Sequence, residues 1–383
     1  MPQRALAVWR AVAHRHGCDV TVCDFGTVEM LAAWRALTQE HRRERIPPAL
    51  FRRCAAALSA MGSPAVVVFQ VRRREDLPVC EALAVWLRCQ APGATLLAAG
   101  PHANAYAPVL APLLPVFDAF SLGADDAALD AALTSVIRGR TMAQTAGWRT
   151  AGCAPRSSPT PLPALDMPPE YCVSEFDALD QYQKLRLVEV VQSEGARHVA
   201  AYDAPRAGAV PGHSVRRASL VCDEMLDVLD GLDGARVLVR GAQTPGAHAE
   251  SLAYELLARG AWVAYGREAH VSELSPTALA LLHSSGCLAL NVTVSSGSQR
   301  LLDTYYRHGF STSQVAALTR EARSAQVDAL WTLHWPSPAD DLHTLDETRR
   351  LVQRARPAAI AAQRPALACG SLWWQAPGDW GFR

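Results

Sequence analysis

The sequence lacks an excess of charge of either sign. Lys+Arg and Asp+Glu number 37 each among its 383 residues, and Lys184 is the only lysine. Domains that bind nucleic acid or an acidic membrane through charge carry a basic excess. We therefore expect neither nucleic acid nor a membrane as a partner, and the sequence leaves no general choice of a catalytic lysine.

Long uninterrupted apolar runs are missing as well. No stretch reaches the roughly 18 residues that a membrane helix needs, and the start, Met-Pro-Gln-Arg, is not the apolar run of a secretory signal. We therefore expect a cytoplasmic protein. Hydrophobic residues make up 50% of the chain and charged residues 19%. This composition supports a substantial core, and the length fits two domains of ordinary size.

The cysteines form no CxxC or CxxxCxxC pattern. This absence argues against a zinc ribbon or a local iron–sulfur loop. In a reducing compartment, scattered cysteines are usually small core residues, and that interpretation is favoured here. The ten cysteines are Cys18, Cys23, Cys54, Cys80, Cys89, Cys153, Cys172, Cys222, Cys287 and Cys369.

Helix and strand patterns alternate along the first 140 residues. Residues 65–69 (AVVVF) and 94–99 (ATLLAA) are short apolar runs typical of buried parallel strands. A helix is predicted between them over 77–90, and further strands over 19–24 and 117–122. Strands and helices at this spacing indicate βαβ units and a parallel sheet.

Prolines divide the chain into three parts. Six of them fall within residues 155–169, a density typical of an extended linker. We predict a Rossmann-type domain over residues 1–140, a proline-rich linker over 141–182 and a second α/β unit over 183–383. The second unit is long enough for most of a (β/α)₈ barrel. Its strands are predicted over 188–192, 237–240, 262–265, 288–294 and 329–333.

Five short phrases, taken in order, are more specific than this periodicity. Residues 94–124 contain a strand ending in Gly-Pro-His and a second strand ending in Gly-Ala. The later phrases are LPALDMPPEY (162–171), GCLALNVTVSSGSQRLLD (286–303), the turn and Thr-Leu helix over 333–345, and CGSLWWQAPGDWGF (369–382). In this order they resemble the motifs of cobalamin-dependent radical S-adenosylmethionine enzymes.

The resemblance implies a fold and a set of candidate ligand residues. The fold would be a flavodoxin-like, Rossmann-type cobalamin-binding domain followed by a radical-SAM-like partial TIM barrel. Cobalamin would lie in the crevice at the carboxyl ends of the first domain's strands, where open α/β sheets bind ligands. The implied cobalamin-binding residues are Gln70, Val71, Arg72, Gly100, Pro101, His102, Gly123, Ala124 and Asp125. The alternative is that Gly100-Pro101-His102 is a tight turn kept for folding and that the arginines from Arg72 onward are a solvated charge run.

The cluster loop of that family departs from its pattern here. The three positions that carry the cysteines of CxxxCxxC align with Ala196, Ala200 and Asp203. Alanine has no donor atom, so these residues cannot hold a [4Fe–4S] cluster whose fourth iron is left for S-adenosylmethionine. We expect no cluster and no metal site.

The nucleotide site also departs from the family. Ser295 replaces the acidic residue of the Glu-Ser-Gly turn, and His334 replaces the glycine of the Gly-x-Pro turn. A histidine side chain would occupy space that glycine leaves open for a ligand close to the backbone. We therefore expect S-adenosylmethionine binding to be lost. The chain starts at the helix matching residues 5–16, so the family's first central strand is expected to be missing.

These departures lead to a main functional prediction and two alternatives. The main prediction is a catalytically degenerate homologue, an accessory protein that binds cobalamin, a partner, or both. The first alternative is a cobalamin-dependent enzyme of the methyltransferase type that works without an iron–sulfur cluster, and the second is a ligand-free scaffold. The expected partner is an intact radical SAM relative or a second copy of the chain, a heteromer being favoured. Trp373, Trp374 and Trp380 are candidate anchors for it.

Overall fold

The computed structural model describes residues 4–25, 48–123, 125–152, 169–171, 187–194, 200–202, 214–232, 235–365, 367 and 371–382. They fall into two compact units, one holding the described residues up to 171 and the other those from Leu187. Among them, no helix combines the length and the apolar character that spanning a bilayer requires.

The first unit contains a four-stranded sheet with strands in the order β1-β2-β3-β4. The strands are β1 (Val66–Gln70), β2 (Thr95–Ala99), β3 (Ala119–Ser121) and β4 (Trp148–Arg149). β1, β2 and β3 are parallel, and β4 runs antiparallel to β3. Most of the linker predicted over 141–182 lies outside the described residues. The prediction is wrong for Trp148 and Arg149, because these two residues form β4 of this sheet.

Helices pack on both faces of this sheet. They are α1 (Arg4–Arg15), α2 (Pro48–Met61), α3 (Leu77–Gln90), α4 (Pro101–Leu113) and α5 (Asp125–Ile137). Leu96 of β2 packs in the core cluster that contains Leu83 of α3, whereas the adjacent Leu97 packs with Trp9 of α1 and Leu133 of α5. Burial on both faces explains why this strand reads as a continuous apolar run.

The strand predicted over residues 19–24 is wrong. These residues follow α1 without any strand assignment, although Val20 packs against the cluster formed by α1 and α5. An apolar stretch becomes a strand only where a neighbour completes its hydrogen bonds, and among the described strands β1 pairs with β2 alone. The apolar character of this stretch therefore reflects packing rather than strand pairing.

The second unit contains a six-stranded parallel sheet in the order β12-β11-β10-β9-β8-β5. Its strands are β5 (Leu187–Val191), β8 (Arg236–Arg240), β9 (Tyr265–Ala269), β10 (Cys287–Ser295), β11 (Asp328–His334) and β12 (Ala359–Gln363). A separate antiparallel pair is formed by β6 (Ser193–Glu194) and β7 (Ser214–Val215). The strand order follows the chain, as in an opened (β/α) barrel.

Helices connect these strands. They are α6 (Ala218–Gly231), α7 (Gly246–Ala258), α8 (Pro276–Ser284), α9 (Gln299–Leu301, continued by a π-helical turn over Leu302–Tyr306), α10 (Thr312–Ser324), α11 (Leu342–Ala355) and α12 (Leu372–Gln375). Side chains of Ser275, Ser311 and Asp341 accept hydrogen bonds from the first turns of α8, α10 and α11. Such caps fix where each helix begins.

The two faces of the six-stranded sheet differ in polarity. One face is mostly apolar and covered by helices, as shown by Trp331 of β11, whose Nε1 donates to Thr319 Oγ1 of α10 at 3.1 Å. Its charged exception is Arg267 of β9, which is buried. The opposite face, here called the inner face, carries polar residues that the strand register aligns. They include Glu189, Arg240, Glu268, Asn291, Thr293, Thr332 and His334. A polar inner face is a place for ligands rather than for core packing.

Candidate functional site

In the first unit, the predicted cobalamin residues lie at the carboxyl ends of β1, β2 and β3. The turns after β1 and β2 touch, because His102 N donates to Val71 O at 3.1 Å. Gly100 has φ 108°, and a Cβ there would lie 2.8 Å from Val71 O. This close approach requires glycine for packing alone, so it does not distinguish a ligand site from a structural turn.

The first turn of α4 adds polar groups to this edge. Pro101 begins the helix, and the ring of His102 lies 4.5 Å from that of Tyr106. Burial lowers the pKa of His102, against the opposing effect of Asp76. Asn104 Oδ1 is buried and has no hydrogen-bond partner within the described part of the chain. A buried acceptor without a donor is costly, and an amide donor of a bound ligand would satisfy it.

The remaining predicted residues are held by local hydrogen bonds. Asp76 Oδ2 accepts from the backbone N of Arg72 at 2.8 Å, which fixes the loop that follows Gln70. Ser121 Oγ donates to Asp125 Oδ1 at 2.8 Å. Gly123 has φ 126°, and a Cβ there would meet no atom within 4 Å, so this end of the crevice is open. Ala124 lies outside the described residues.

The loop that aligns with the cluster motif is described only in part. Ala196 and Asp203 lie outside the described residues. Ala200 is buried, and the next residue, Ala201, donates its backbone N–H to Tyr306 O at 2.9 Å. This part of the loop is therefore packed against the end of the π-helical turn that follows α9.

The inner face of the second unit carries a charged network at its carboxyl edge. Arg240 Nη1 lies 3.1 Å from Glu189 Oε1, and Arg240 Nε lies 2.7 Å from Glu268 Oε1. Glu268 Oε2 also accepts from the backbone N of Gly241 at 2.9 Å. Two carboxylates and one guanidinium leave one net negative charge on this part of the face.

Uncharged polar side chains continue this face along β10 and β11. Asn291, Thr293 and Thr332 are half-buried, and their side chains make no hydrogen bond within the described part of the chain. They provide donors and acceptors beside the charged network. The arrangement can hold a polar ligand, since few well-placed polar groups suffice to orient one.

Ser295, where β10 ends, lies between two buried histidines. Its Oγ is 2.6 Å from His308 Nε2 and 2.9 Å from His334 Nδ1. Gln363 Nε2 lies 3.1 Å from His334 Nε2. With the amide of Gln363 as donor, His334 carries its proton on Nδ1 and donates to Ser295, whose hydroxyl then donates to His308. We call Ser295, His308, His334 and Gln363 the Ser–His cluster.

Both histidines of the Ser–His cluster are neutral near pH 7. Burial lowers the pKa of His308 to about 3, and the nearby His334 and His270 act in the same direction. Burial lowers the pKa of His334 to about 4. The cluster is thus a set of neutral hydrogen bonds that fills the space at the carboxyl ends of β10 and β11.

Ser295 is not arranged as a nucleophile, although it has φ 64° and a histidine within reach. Its side chain is buried, and the next backbone N–H, that of Ser296, already donates to Val294 O at 2.8 Å. A nucleophile needs an accessible oxygen and free donors for the developing oxyanion. The cluster therefore fills space rather than performing acyl transfer.

Aromatic residues cover the Ser–His cluster. The ring of Tyr202 lies 4.7 Å from that of His334 and 5.5 Å from that of Trp373. Trp373 is fully buried, and its Nε1 donates to Tyr305 O at 3.2 Å. The expectation that Trp373 anchors a partner is wrong, because its own chain encloses it. Trp374 is 41% exposed, and Arg307 lies 5.6 Å from the ring of Trp380.

Sequence reasoning identified part of the Ser–His cluster. Ser295 and His334 were singled out because they replace motif residues, and the structure brings them together. His308 and Gln363 were missed, because no spacing in the sequence relates them to Ser295. The only available signal was their proximity to strand and helix ends.

Comparison with known proteins places the fold. No family model and no curated protein matches the sequence. The solved structure of the radical S-adenosylmethionine methyltransferase TsrM from Kitasatospora setae, with cobalamin and a [4Fe–4S] cluster bound, matches with a TM-score of 0.72. The match has 16% identity and covers 95% of this chain and 69% of TsrM.

A second solved structure matches in the same way. The cobalamin-dependent S-adenosylmethionine radical enzyme OxsB, with aqua-cobalamin and S-adenosylmethionine bound, matches with a TM-score of 0.64 and 11% identity. The match covers 86% of this chain, which spans about half of OxsB (49%). The chain thus has the fold of cobalamin-dependent radical SAM enzymes, a cobalamin-binding-type domain followed by a partial barrel. The predicted resemblance and fold class are confirmed.

Proposed function

We propose that the chain is a cobalamin-binding accessory protein built on the radical SAM fold, which does not cleave S-adenosylmethionine and acts with a protein partner. The observation that carries the proposal is the Ser–His cluster. It places Ser295 and two buried histidines that bond to it at the carboxyl ends of β10 and β11, where the resemblance implies nucleotide contacts.

The cluster opposes nucleotide binding for a physical reason. A ligand entering this space would have to displace the imidazole of His334, which removes one hydrogen bond from Ser295 Oγ and one from Gln363 Nε2. Each buried polar group that loses its partner costs about 1–3 kcal/mol. The aromatic cover of Tyr202 and Trp373 would have to move as well. The replacement of the motif cysteine by Ala200 supports the same conclusion, since alanine offers no ligand atom.

Cobalamin binding is supported by the open crevice of the first unit. The residues present fit such a ligand, because Gly123 leaves open space at the end of β3 and Asn104 Oδ1 is an acceptor without a donor. The corrin ring carries amide side chains that can donate to Asn104, and His102 lies at the same edge. When bound, cobalamin supplies a cobalt that can carry a methyl group. TsrM and OxsB, the structural neighbours, have cobalamin bound.

A cluster-free methyltransferase is the second candidate function. The polar inner face favours it, because Asn291, Thr293 and Thr332 remain half-buried and uncommitted beside the Glu189–Arg240–Glu268 network. A ligand-free scaffold has no need of such a face. TsrM, a structural neighbour, is a radical S-adenosylmethionine methyltransferase.

One experiment separates these functions. The purified chain is incubated with methylcobalamin, freed of excess by gel filtration, and its visible spectrum is recorded. The accessory role predicts about one cobalamin per chain and no loss of the methyl group in the presence of candidate acceptors. Demethylation coupled to a methylated product supports the enzyme instead. Elution without any cobalamin contradicts both and leaves the scaffold.

A further inference from the structure

A cationic groove lies between α10 and α11 in the second unit. Its volume is about 350 Å³, and it is lined by Ser313, Ala316, Arg320, Arg323, Arg354 and Ala355. None of these residues belongs to the Ser–His cluster or to the inner face. The groove has three guanidinium groups and no carboxylate among its lining residues.

The three arginines differ in the hydrogen bonds and ion pairs that their side chains make. Arg323 Nη2 donates to Ala355 O at 2.6 Å and to Arg356 O, so it neutralises the carbonyl end of α11. Arg320 and Arg354 are exposed, and their guanidinium groups make no hydrogen bond or ion pair within the described part of the chain. Two guanidinium groups at one groove therefore lack an anion.

Other arginines on α11 do have an anionic partner. Arg349 Nη2 lies 2.7 Å from Asp346 Oδ1, and Arg350 also pairs with Asp346. The unpaired guanidinium of α11, that of Arg354, thus lies where the helix borders the groove. The small, buried residues Ala316 and Ala355 form the floor of the groove. Because their side chains are small, another chain can approach closely.

The free energy of exposed ion pairs favours a protein segment over a small anion as the ligand of this groove. A small anion on exposed arginines stays in water, where each pair contributes about 0–1 kcal/mol and is screened by salt. A protein segment covers the groove, lowers the local dielectric and strengthens the same contacts. Arginine is also enriched in protein interfaces.

We propose that the groove lined by Arg320, Arg323 and Arg354 binds an acidic segment of a partner protein. The carboxylates of that segment pair with Arg320 and Arg354, and its backbone lies over Ala316 and Ala355. This inference deepens the partner-binding part of the proposed function and rests on it, whereas cobalamin binding involves the other unit and is tested separately.

The test uses a fluorescein-labelled, glutamate-rich peptide of about ten residues, the length of a groove-binding segment. Fluorescence anisotropy measures its affinity for the full chain, with the matching glutamine-rich peptide as the neutral probe. Arg320→Ala/Arg354→Ala removes two charges at the groove. Arg349→Ala/Arg350→Ala removes two charges from the same helix outside it and is the matched control.

We expect the groove variant to bind the acidic peptide about tenfold more weakly than the parent chain, and the control variant less than about twofold more weakly. If millimolar inorganic phosphate displaces the peptide and binds as tightly as the peptide does, the groove is an adventitious ion site and the proposal is overturned. Equal losses in the two double variants would overturn it as well. Either result leaves cobalamin binding, measured on the same samples, unaffected.

Discussion

The carboxyl edges of the two sheets lie at corresponding places in their units but are occupied differently. In the first unit, the edge consists of turns whose backbones touch at Val71 and Gly100 and open at Gly123. In the second unit, the edge is filled by Ser295 and its two histidines. The first edge offers a buried acceptor without a partner among the described residues, Asn104 Oδ1, whereas a ligand at the second edge would have to displace His334. The proposed function rests on this difference between the two edges.

The largest expected effect comes from removing the cover of the filled edge. Trp373→Ala deletes a fully buried side chain that contacts Tyr202 and Tyr305, and such truncations cost about 3–5 kcal/mol. Trp374→Ala, at a 41% exposed neighbour, is the control and should cost less than about 1 kcal/mol. Denaturant titration measures both. Similar losses for the two variants would contradict the packing described here.

The next effect is a loss of stability in mild acid. The pKa of His308 is about 3 and that of His334 about 4 in the folded state, whereas an unfolded histidine titrates near 6.5. Because both values are lowered, the unfolded chain binds more protons, so stability is complete above about pH 6.5 and falls as the pH decreases towards 4.

At pH 5 the two histidines together should reduce the free energy of unfolding by about 4 kcal/mol relative to pH 7.5. Urea titrations across this range provide the measurement. His308→Gln removes one titrating group and should reduce the pH dependence by about half. An unchanged pH dependence in that variant would show that His308 is not the buried neutral group described.

His334→Gly tests the filled edge more directly. The variant restores the residue of the family turn and removes the imidazole between Ser295 and Gln363. We expect a loss of about 2–3 kcal/mol from the vacated space and the broken hydrogen bonds. Gln363→Ala, at the exposed end of the same chain of hydrogen bonds, should cost less than about 1 kcal/mol. A stabilised His334→Gly variant would contradict the account.

The smallest effect on stability is expected at the open edge. His102→Ala should change the free energy of unfolding by less than about 1 kcal/mol, because the ring is only half-buried. It should nevertheless weaken cobalamin binding measured by gel filtration and absorbance. Arg74→Ala, at an exposed position of the charge run, should leave binding unchanged. Equal weakening by the two variants would indicate a general charge effect rather than a site.

The sequence predicted the parts of the fold that depend on apolar runs. β1 and β2 were recognised because each is a continuous apolar run, and in β2 this run is buried on both faces. β9 was predicted over 262–265, but the strand is Tyr265–Ala269 and contains Arg267 and Glu268. Because β9 carries a charged residue on each face, Arg267 on one and Glu268 on the other, hydrophobicity does not reveal it, and its bounds were misplaced for that reason.

The candidate site was less predictable, because its residues converge only in the folded chain. Ser295 and His334 could be identified from the motif positions that they replace. His308 reaches Ser295 because the π-helical turn over Leu302–Tyr306 and the left-handed Arg307 return the chain to the sheet edge. Nothing in the local pattern of residues predicts such a return.

The proposed function requires that the filled edge does not bind S-adenosylmethionine. The most direct measurement is isothermal titration of S-adenosylmethionine into the chain after anaerobic reconstitution with iron and sulfide, with iron and sulfide analysis of the same sample. The account predicts no heat of binding and no stoichiometric cluster. Binding of S-adenosylmethionine together with about four iron and four sulfide per chain would contradict it.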